Sequence, residues 1–282
     1  MFLLLILYLS VSSVIVVDDV WFYGDHKLRV LNTGDIVEII ESKNDFVKVR
    51  YDGAVGEIHR GVLVNLHDEV SEDKLLVFAY GYFTDGEYIK SARLFAVFIN
   101  NFNKSNYFVF AQYYNGVSLE EVAKRINPRD SLKLRADQSL PLQFIIYNKE
   151  NMQYYYNGEL YKLILEKYPK SIYASKSAYR LITIFRAQNL PWHDSVDIIQ
   201  QELTMWHDYI KKYQDVEEYP QALLEIGYLN RVIFEITNDI KYSSNAVTIF
   251  QKVIKEFPNT IHSASAKVNL KEIEKGEKIY KF

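Results

Sequence analysis

The sequence predicts a multidomain chain with separate β and α parts. A small β-barrel comes first, and an all-α solenoid of helical hairpins follows it. Three observations carry this. Apolar residues alternate with period 2 between about residues 16 and 66, and recur with helical spacing from about residue 74 onward. An Asp52-Gly53 hairpin signal sits inside the first part. In the second part a joint recurs as Tyr168-Pro169-Lys170-Ser171-Ile172-Tyr173-Ala174 and Phe257-Pro258-Asn259-Thr260-Ile261-His262-Ser263, and more weakly as Phe102-Asn103-Lys104-Ser105-Asn106-Tyr107. In such a joint the aromatic packs the last turn of one helix, and Pro cannot continue that helix. Ser or Thr can then cap the next one.

In chain order, Met1 to Val17 is an apolar run with no charge before Asp18. It is short of the roughly 20 residues that a membrane span needs. Residues 1–13 are read as an export signal, with small residues at Val11-Ser12-Ser13 for cleavage. No Lys or Arg precedes the run, and the competing reading is a buried first strand.

Residues 14–68 read as the barrel. Asp35 to Ile40 is rich in β-branched residues and follows the turn Asn32-Thr33-Gly34. Phe46 to Tyr51 alternates, with Val47, Val49 and Tyr51 on one face and Lys48 and Arg50 on the other. Ala54 to Ile58 follows the hairpin turn, and closely spaced short strands predict a barrel. Leu31 to Ile39 together with Phe46 to His59 resembles the bacterial SH3-like (SH3b) domain, over about residues 17–66. Glu57 stands where that family has Trp, and Trp21-Phe22-Tyr23-Gly24-Asp25 replaces its arg-ser-gly-pro turn. The resemblance implies binding of proteins or cell-wall peptides through an aromatic groove. The missing Trp weighs against a cell-wall site, and the three adjacent aromatics read as mixed core and edge packing.

Residues 69–282 read as helical repeats. Ser71-Glu72-Asp73-Lys74 is a capping start. After Asp85-Gly86, the positions Tyr88, Ala92, Phe95, Ile99 and Phe102 form one helix face. Ala79 to Phe102 resembles a tetratricopeptide (TPR) repeat. Val117 to Ile126 is a helix with a Ser118/Glu121 capping box, ended by Asn127-Pro128, and residues 127–140 are a connecting loop. The helical pattern resumes at Pro141, and Tyr156-Asn157-Gly158-Glu159 is a turn. Further stripes run through Ala174, Ala178, Leu181 and Phe185; through Val196, Ile199, Leu203, Trp206 and Ile210; through Ala222, Ile226, Leu229, Ile233 and Ile236; and through Ala246, Phe250, Val253 and Phe257. Gln188 to Asp194 is a loop, and a charged helix from Ser263 to about Lys278 caps the array. By subtraction, the closing aromatics Phe102, Tyr168, Tyr213 and Phe257 stand 66, 45 and 44 residues apart, so the unit exceeds the usual TPR of about 34. From about residue 70 to 278 the phrase resembles the long TPR-like repeats of bacterial envelope proteins of the outer-membrane assembly lipoprotein and Tol–Pal coordinator type. Because the period changes between Leu66 and Lys74, pieces 14–68 and 69–282 are expected to fold separately.

The formal net charge of −3 argues against a nucleic-acid protein. The chain has no Cys, which excludes disulfides, thiol catalysis and Cys-ligated zinc. His193-Asp194 and His207-Asp208 invite a metal reading. If one helix carries both, the 14 residues between them span about 21 Å, too far to share an ion. The phosphate-loop, HExxH and GxSxG signatures are missing from the sequence. We therefore assign no catalytic, cofactor or metal residue. The expected role is a non-enzymatic adaptor or scaffold, exported to a bacterial periplasm or cell envelope. Its expected partners are envelope proteins or peptides, with no nucleic acid and no transmembrane span in the mature chain. The alternative is peptidoglycan binding by the barrel, and a cell-wall hydrolase is a distant third. Tyr179 with Arg186, and Tyr155 with Tyr156, are candidate contact residues. The competing reading places these tyrosines in the inter-helix core.

Overall fold

The computed structural model describes residues 11–24, 27–67, 69–126, 142–189 and 195–279. The chain divides into two compact units, Met1–Tyr147 and Asn148–Phe282. It is mixed α and β, with an antiparallel sheet first and helices dominating thereafter.

In the first unit the strands are β1 (Val11–Ile15), β2 (Val20–Gly24), β3 (Lys27–Leu31), β4 (Ile36–Lys43), β5 (Phe46–Tyr51), β6 (Ala54–His59) and β7 (Leu63–Asn65). Five of them form one antiparallel sheet in the order β6-β5-β4-β1-β7. β2 and β3 pair only with each other, and β2 lies against β6. Among the described residues, hydrogen bonding therefore does not close the expected barrel. Asp52 and Gly53 both have positive φ, 46° and 77°, which suits the twist of a two-residue hairpin, and Tyr51 faces Ala54 across it. The alternation in β5 holds. Val47 and Val49 are buried with Ile15, Phe22, Leu31 and Val37, while Lys48 and Arg50 are exposed. Arg50 meets Glu38 directly across the strand pair at 2.6 Å.

β1 is an interior strand of the sheet, between β4 and β7. Its alternate residues serve two cores: Ile15 joins the sheet core, and Val14 joins a second core built with helices. Burial on both faces explains why Val14, Ile15 and Val16 follow one another without alternation. Residues 11–15 thus form the first strand, buried from Ser13 to Ile15, and residues 1–10 of the apolar run lie outside the described residues. A chain starting at Val14 would lose Val11 to Ser13 and their pairing with Val37 to Ile39.

The helices of this unit are α1 (Glu69–Thr84), α2 (Tyr88–Asn101) and α3 (Phe108–Arg125). The period changes where expected, after β7, but the compact units part much later, at 147/148. The reason is the second core. Val14, Val16, Val64 and Leu66 pack with Leu75, Ala79, Leu94, Phe95, Val97 and Phe98 of the helices. Polar ties add to it. The Tyr82 hydroxyl donates to the Val16 carbonyl at 2.8 Å, and Lys90 pairs with Asp18 at 3.2 Å. Arg93 donates to the Thr33 carbonyl at 3.3 Å, and Gly34 (φ 95°) lies so close that a Cβ there would be 2.8 Å from the Cβ of Arg93.

Two cap assignments are corrected. α1 starts at Glu69, so Ser71 lies inside it and is buried. α3 starts ten residues before Ser118, because Ala111, Asn115 and Ser118, at spacings of 4 and 3, continue one buried helix face backwards. Ser118 caps nothing. Its Oγ donates to the Tyr114 carbonyl at 2.8 Å and lies 2.9 Å from the Ser91 Oγ, buried where α2 meets α3. The loop read at 127–140 lies outside the described residues.

The division between units falls at a two-stranded hairpin, β8 (Ile145–Asn148) and β9 (Gln153–Tyr156), in a stretch read as helical. Asn148 and Asn151 side chains accept the N–H groups of Glu150 and Gln153, and Met152 takes a positive φ of 54°. Such asparagine turns compete with helix. The second unit continues with α4 (Glu159–Lys167), α5 (Ile172–Gln188), α6 (Val196–Lys212), α7 (Tyr219–Thr237), α8 (Ile240–Glu256) and α9 (Ile261–Glu274). Each packs on the next in the chain, and α7 also touches α9. The stripes of α6, α7 and α8 lie in the cores as read, with Ile199, Trp206, Ile226, Ile233, Phe250 and Val253 fully enclosed. On α5 the buried face is shifted: Ala174, Ile182 and Ile184 are buried, while Ala178, Leu181 and Phe185 are half-buried.

The joints repeat in atomic detail. Phe102, Tyr168, Tyr213 and Phe257 each end a helix by donating the backbone N–H to the carbonyl four residues back. Ser105, Ser171 and Thr260 each donate their backbone N–H to the carbonyl of the closing aromatic. Their hydroxyls then accept from the N–H of Tyr107, Tyr173 and Ser263. The weak third copy is therefore a working joint, and α3 follows it. The final helix starts at Ile261, directly after its Thr260 cap, and ends at Glu274.

Candidate functional site

The second unit contains a groove of about 380 Å³. Leu224 of α7 and Phe250 of α8 lie at its base, 9% and 0% exposed. Gly227 allows the base to be this close-packed, since a Cβ there would lie 2.5 Å from the Phe250 ring. One wall is Arg186 of α5 with Gln221, Glu225 and Tyr228 of α7, and the other is Ser265 and Asn269 of α9. Apart from Phe250, then, the lining comes from alternate helices, α5, α7 and α9.

The charged wall is internally compensated. Arg186 Nε donates to Glu202 Oε1 at 2.8 Å, and Arg186 Nη2 to Glu225 Oε2 at 2.7 Å. Gln221 Nε2 donates to the other Glu225 oxygen at 2.7 Å. Glu202 is fully buried, and Trp206 Nε1 donates to its Oε1 at 3.0 Å. Burial pushes the Arg186 pKa down, but the hydrogen bonds and charges of Glu202 and Glu225 outweigh it and raise the pKa further above its ordinary value. The guanidinium is a fixed cation that joins α5, α6 and α7 and borders the groove. A groove whose open lining is mainly polar, over a buried apolar base, suits a polar peptide or protein surface.

Of the candidate contact residues, Arg186 alone reaches the groove. Tyr179 packs edge-on to Trp206 and Tyr209, at ring separations of 5.2 and 6.2 Å, in the core. Tyr155 and Tyr156 are buried, and the Tyr156 hydroxyl accepts from the Leu160 N–H at 2.7 Å. The core reading holds for these tyrosines. Gln221, Glu225 and Tyr228 were missed because they flank the apolar stripe of α7. Their own spacing of 4 and 3 was the signal.

The described histidines do not converge. His59 packs edge-on against Phe46, and its Nδ1 accepts from the Gly61 N–H. His207 is exposed, with its pKa lowered by desolvation against an opposing pull from Asp208. His26 and His193 lie outside the described residues. Among the described residues, no cluster of three or more His, Asp or Glu could hold a metal ion, and no helix is long and apolar enough to cross a membrane. In the first unit Phe22 is core, while Trp21 is 59% exposed on the outer face of the β2–β3 hairpin. Comparison of the chain with protein-family models and with curated proteins finds no match.

Proposed function

We propose that the chain is a non-enzymatic adaptor or scaffold of a bacterial cell envelope, in which an SH3-like β unit precedes TPR-like helical hairpins. In this reading the second unit holds a partner protein or peptide against α5, α7 and α9. The observation that carries it is the groove itself, with a mainly polar lining drawn from alternate helices. Helical-hairpin repeats bind in this way, since every second helix shares one face. The repeated joint supports the repeat reading. Export rests on the apolar residues 1–10 that precede the first strand and on the resemblance of the joints to envelope proteins. The test is affinity purification from the envelope fraction, using the intact chain and a Gln221→Ala/Tyr228→Ala variant. A partner held by the first and lost by the second is expected. Equal recovery on both would refute the groove as the site.

One observation favours a second reading, binding of cell-wall peptide by the first unit. Trp21 and Leu28, 59% and 60% exposed, share the outer face of the β2–β3 hairpin. Retention on purified sacculi that is lost with Trp21→Ala is the outcome this reading requires.

A further inference from the structure

Beside its apolar face, α7 carries a second stripe: Gln221, Glu225, Tyr228, Arg231 and Glu235, stepping by 4, 3, 3 and 4. Its first three members wall the groove. Its last two are occupied. Arg231 is 2% exposed, and its Nε donates to Glu235 Oε1 at 3.2 Å. Its Nη1 donates to Asn269 Oδ1 at 3.0 Å and to Glu272 Oε2 at 2.6 Å. Its Nη2 donates to the backbone carbonyl of Glu277 at 2.7 Å, and the N–H of Ile279 donates to both Glu235 oxygens at 2.9 Å. Gly276, at φ 67°, turns the chain back after α9, with the Glu277 N–H on the Glu272 carbonyl. Ile279 then packs against the apolar core of α6 and α7.

This is how a peptide segment is recognised through its backbone. A carbonyl and the N–H two residues on are read by fixed side chains, and one apolar side chain is anchored. The Glu277 side chain takes no part, pairing with Lys275 instead, and Lys278 is exposed. Arg231 also keeps Glu235, Asn269 and Glu272 when the segment leaves, so no buried charge is stranded by exchange. Asn269 belongs both to this clamp and to the groove, so the two are continuous.

We propose that residues 277–279 are a built-in occupant of a peptide track along α7 and α9, displaced by a partner's peptide segment with an aliphatic side chain two residues after its accepting carbonyl. This rests on the reading of the second unit as a binding module. The probe is a capped, fluorescently labelled peptide of residues 274–279. It is titrated into the full chain, into a chain ending at Gly276, and into the full chain carrying Ile279→Asp. A strap that is closed at least nine-tenths of the time weakens binding to the full chain about tenfold or more relative to the opened forms. The expected result is that gain in both opened forms, loss of it when the peptide itself carries Ile279→Asp, and faster amide exchange at residue 279 in the variant chain. Equal binding by open and closed forms overturns the proposal, as does no binding by opened chains that stay helical. Loss of helical structure in both opened chains also overturns it, because the segment is then part of the core. Capture of an envelope partner that is indifferent to strap release would sink this proposal and leave the adaptor reading. Peptide exchange with no captured partner would do the reverse.

Discussion

Separating the sheet from its helices should unfold it. The perturbation is a chain cut to residues 11–68, compared with residues 11–147. Val14, Val16, Val64 and Leu66 are 0%, 1%, 4% and 6% exposed, and all four pack in the core that includes Leu75, Leu94 and Phe95. Fully burying an aliphatic side chain contributes about 1.5–3 kcal/mol. Exposing four therefore removes about 6–12 kcal/mol as an upper estimate, since an unfolded chain already buries some surface. A whole domain has about 5–15 kcal/mol of net stability, and small ones lie near the bottom of that range. The loss is thus as large as the stability itself. The bonds from Tyr82 to Val16 and from Lys90 to Asp18 go too. Far-UV circular dichroism with urea titration checks the outcome. Residues 11–147 should unfold in one cooperative transition, and residues 11–68 should show none. A cooperative, β-rich transition from the short piece would refute the reasoning and restore 68/69 as a folding boundary.

Ser171→Ala removes the hydroxyl that accepts the Tyr173 N–H at 3.1 Å, and should cost about 1 kcal/mol by denaturant titration, as should Thr260→Ala at the corresponding joint. Gly227→Ala puts a Cβ 2.5 Å from the enclosed Phe250 ring, and the overpacking should cost about 1–3 kcal/mol. Ala174→Leu should cost a similar amount, because Ala174 is fully buried whereas Ala178 is only half-buried. Arg186→Met strands the buried Glu202 carboxylate and should cost about 3–5 kcal/mol, and adding Glu202→Leu in a double-mutant cycle should recover part of it, since the Trp206 N–H then loses its acceptor. At Asp18, burial raises the carboxyl pKa, but hydrogen bonds from Thr33 and Lys90 outweigh it and hold it below the ordinary 3.8. Its contribution is therefore complete above that value and lost as pH falls through the lower folded one, so the acid-side decline in stability should be shallower in Asp18→Asn.

Local chemistry was legible in the residues themselves. Asp52-Gly53 needs two positive φ angles and takes them, and β5 alternates because one face of its sheet is wet. The four closing aromatics and the Ser171 and Thr260 caps act within a few residues of chain, so a linear reading found them. What depends on neighbours distant in sequence was not legible. Ser118 followed by Glu121 reads as a cap, but the Ser91 hydroxyl across α2 and α3 makes it a buried contact inside a helix. The apolar Met1–Val17 run reads as a signal, but residues 11–15 pair in the sheet and tertiary packing buries residues 13–16 on both faces. The stripe from Gln221 to Glu235 is an ordinary polar flank on paper. It becomes a groove and a clamp only because α5, α6 and α9 bring Arg186, Glu202, Asn269 and Glu272 against it. Spacing along a chain determines which residues share a face. Which groups meet across faces, and so whether a charge is solvated or locked, is decided by packing between elements far apart in sequence.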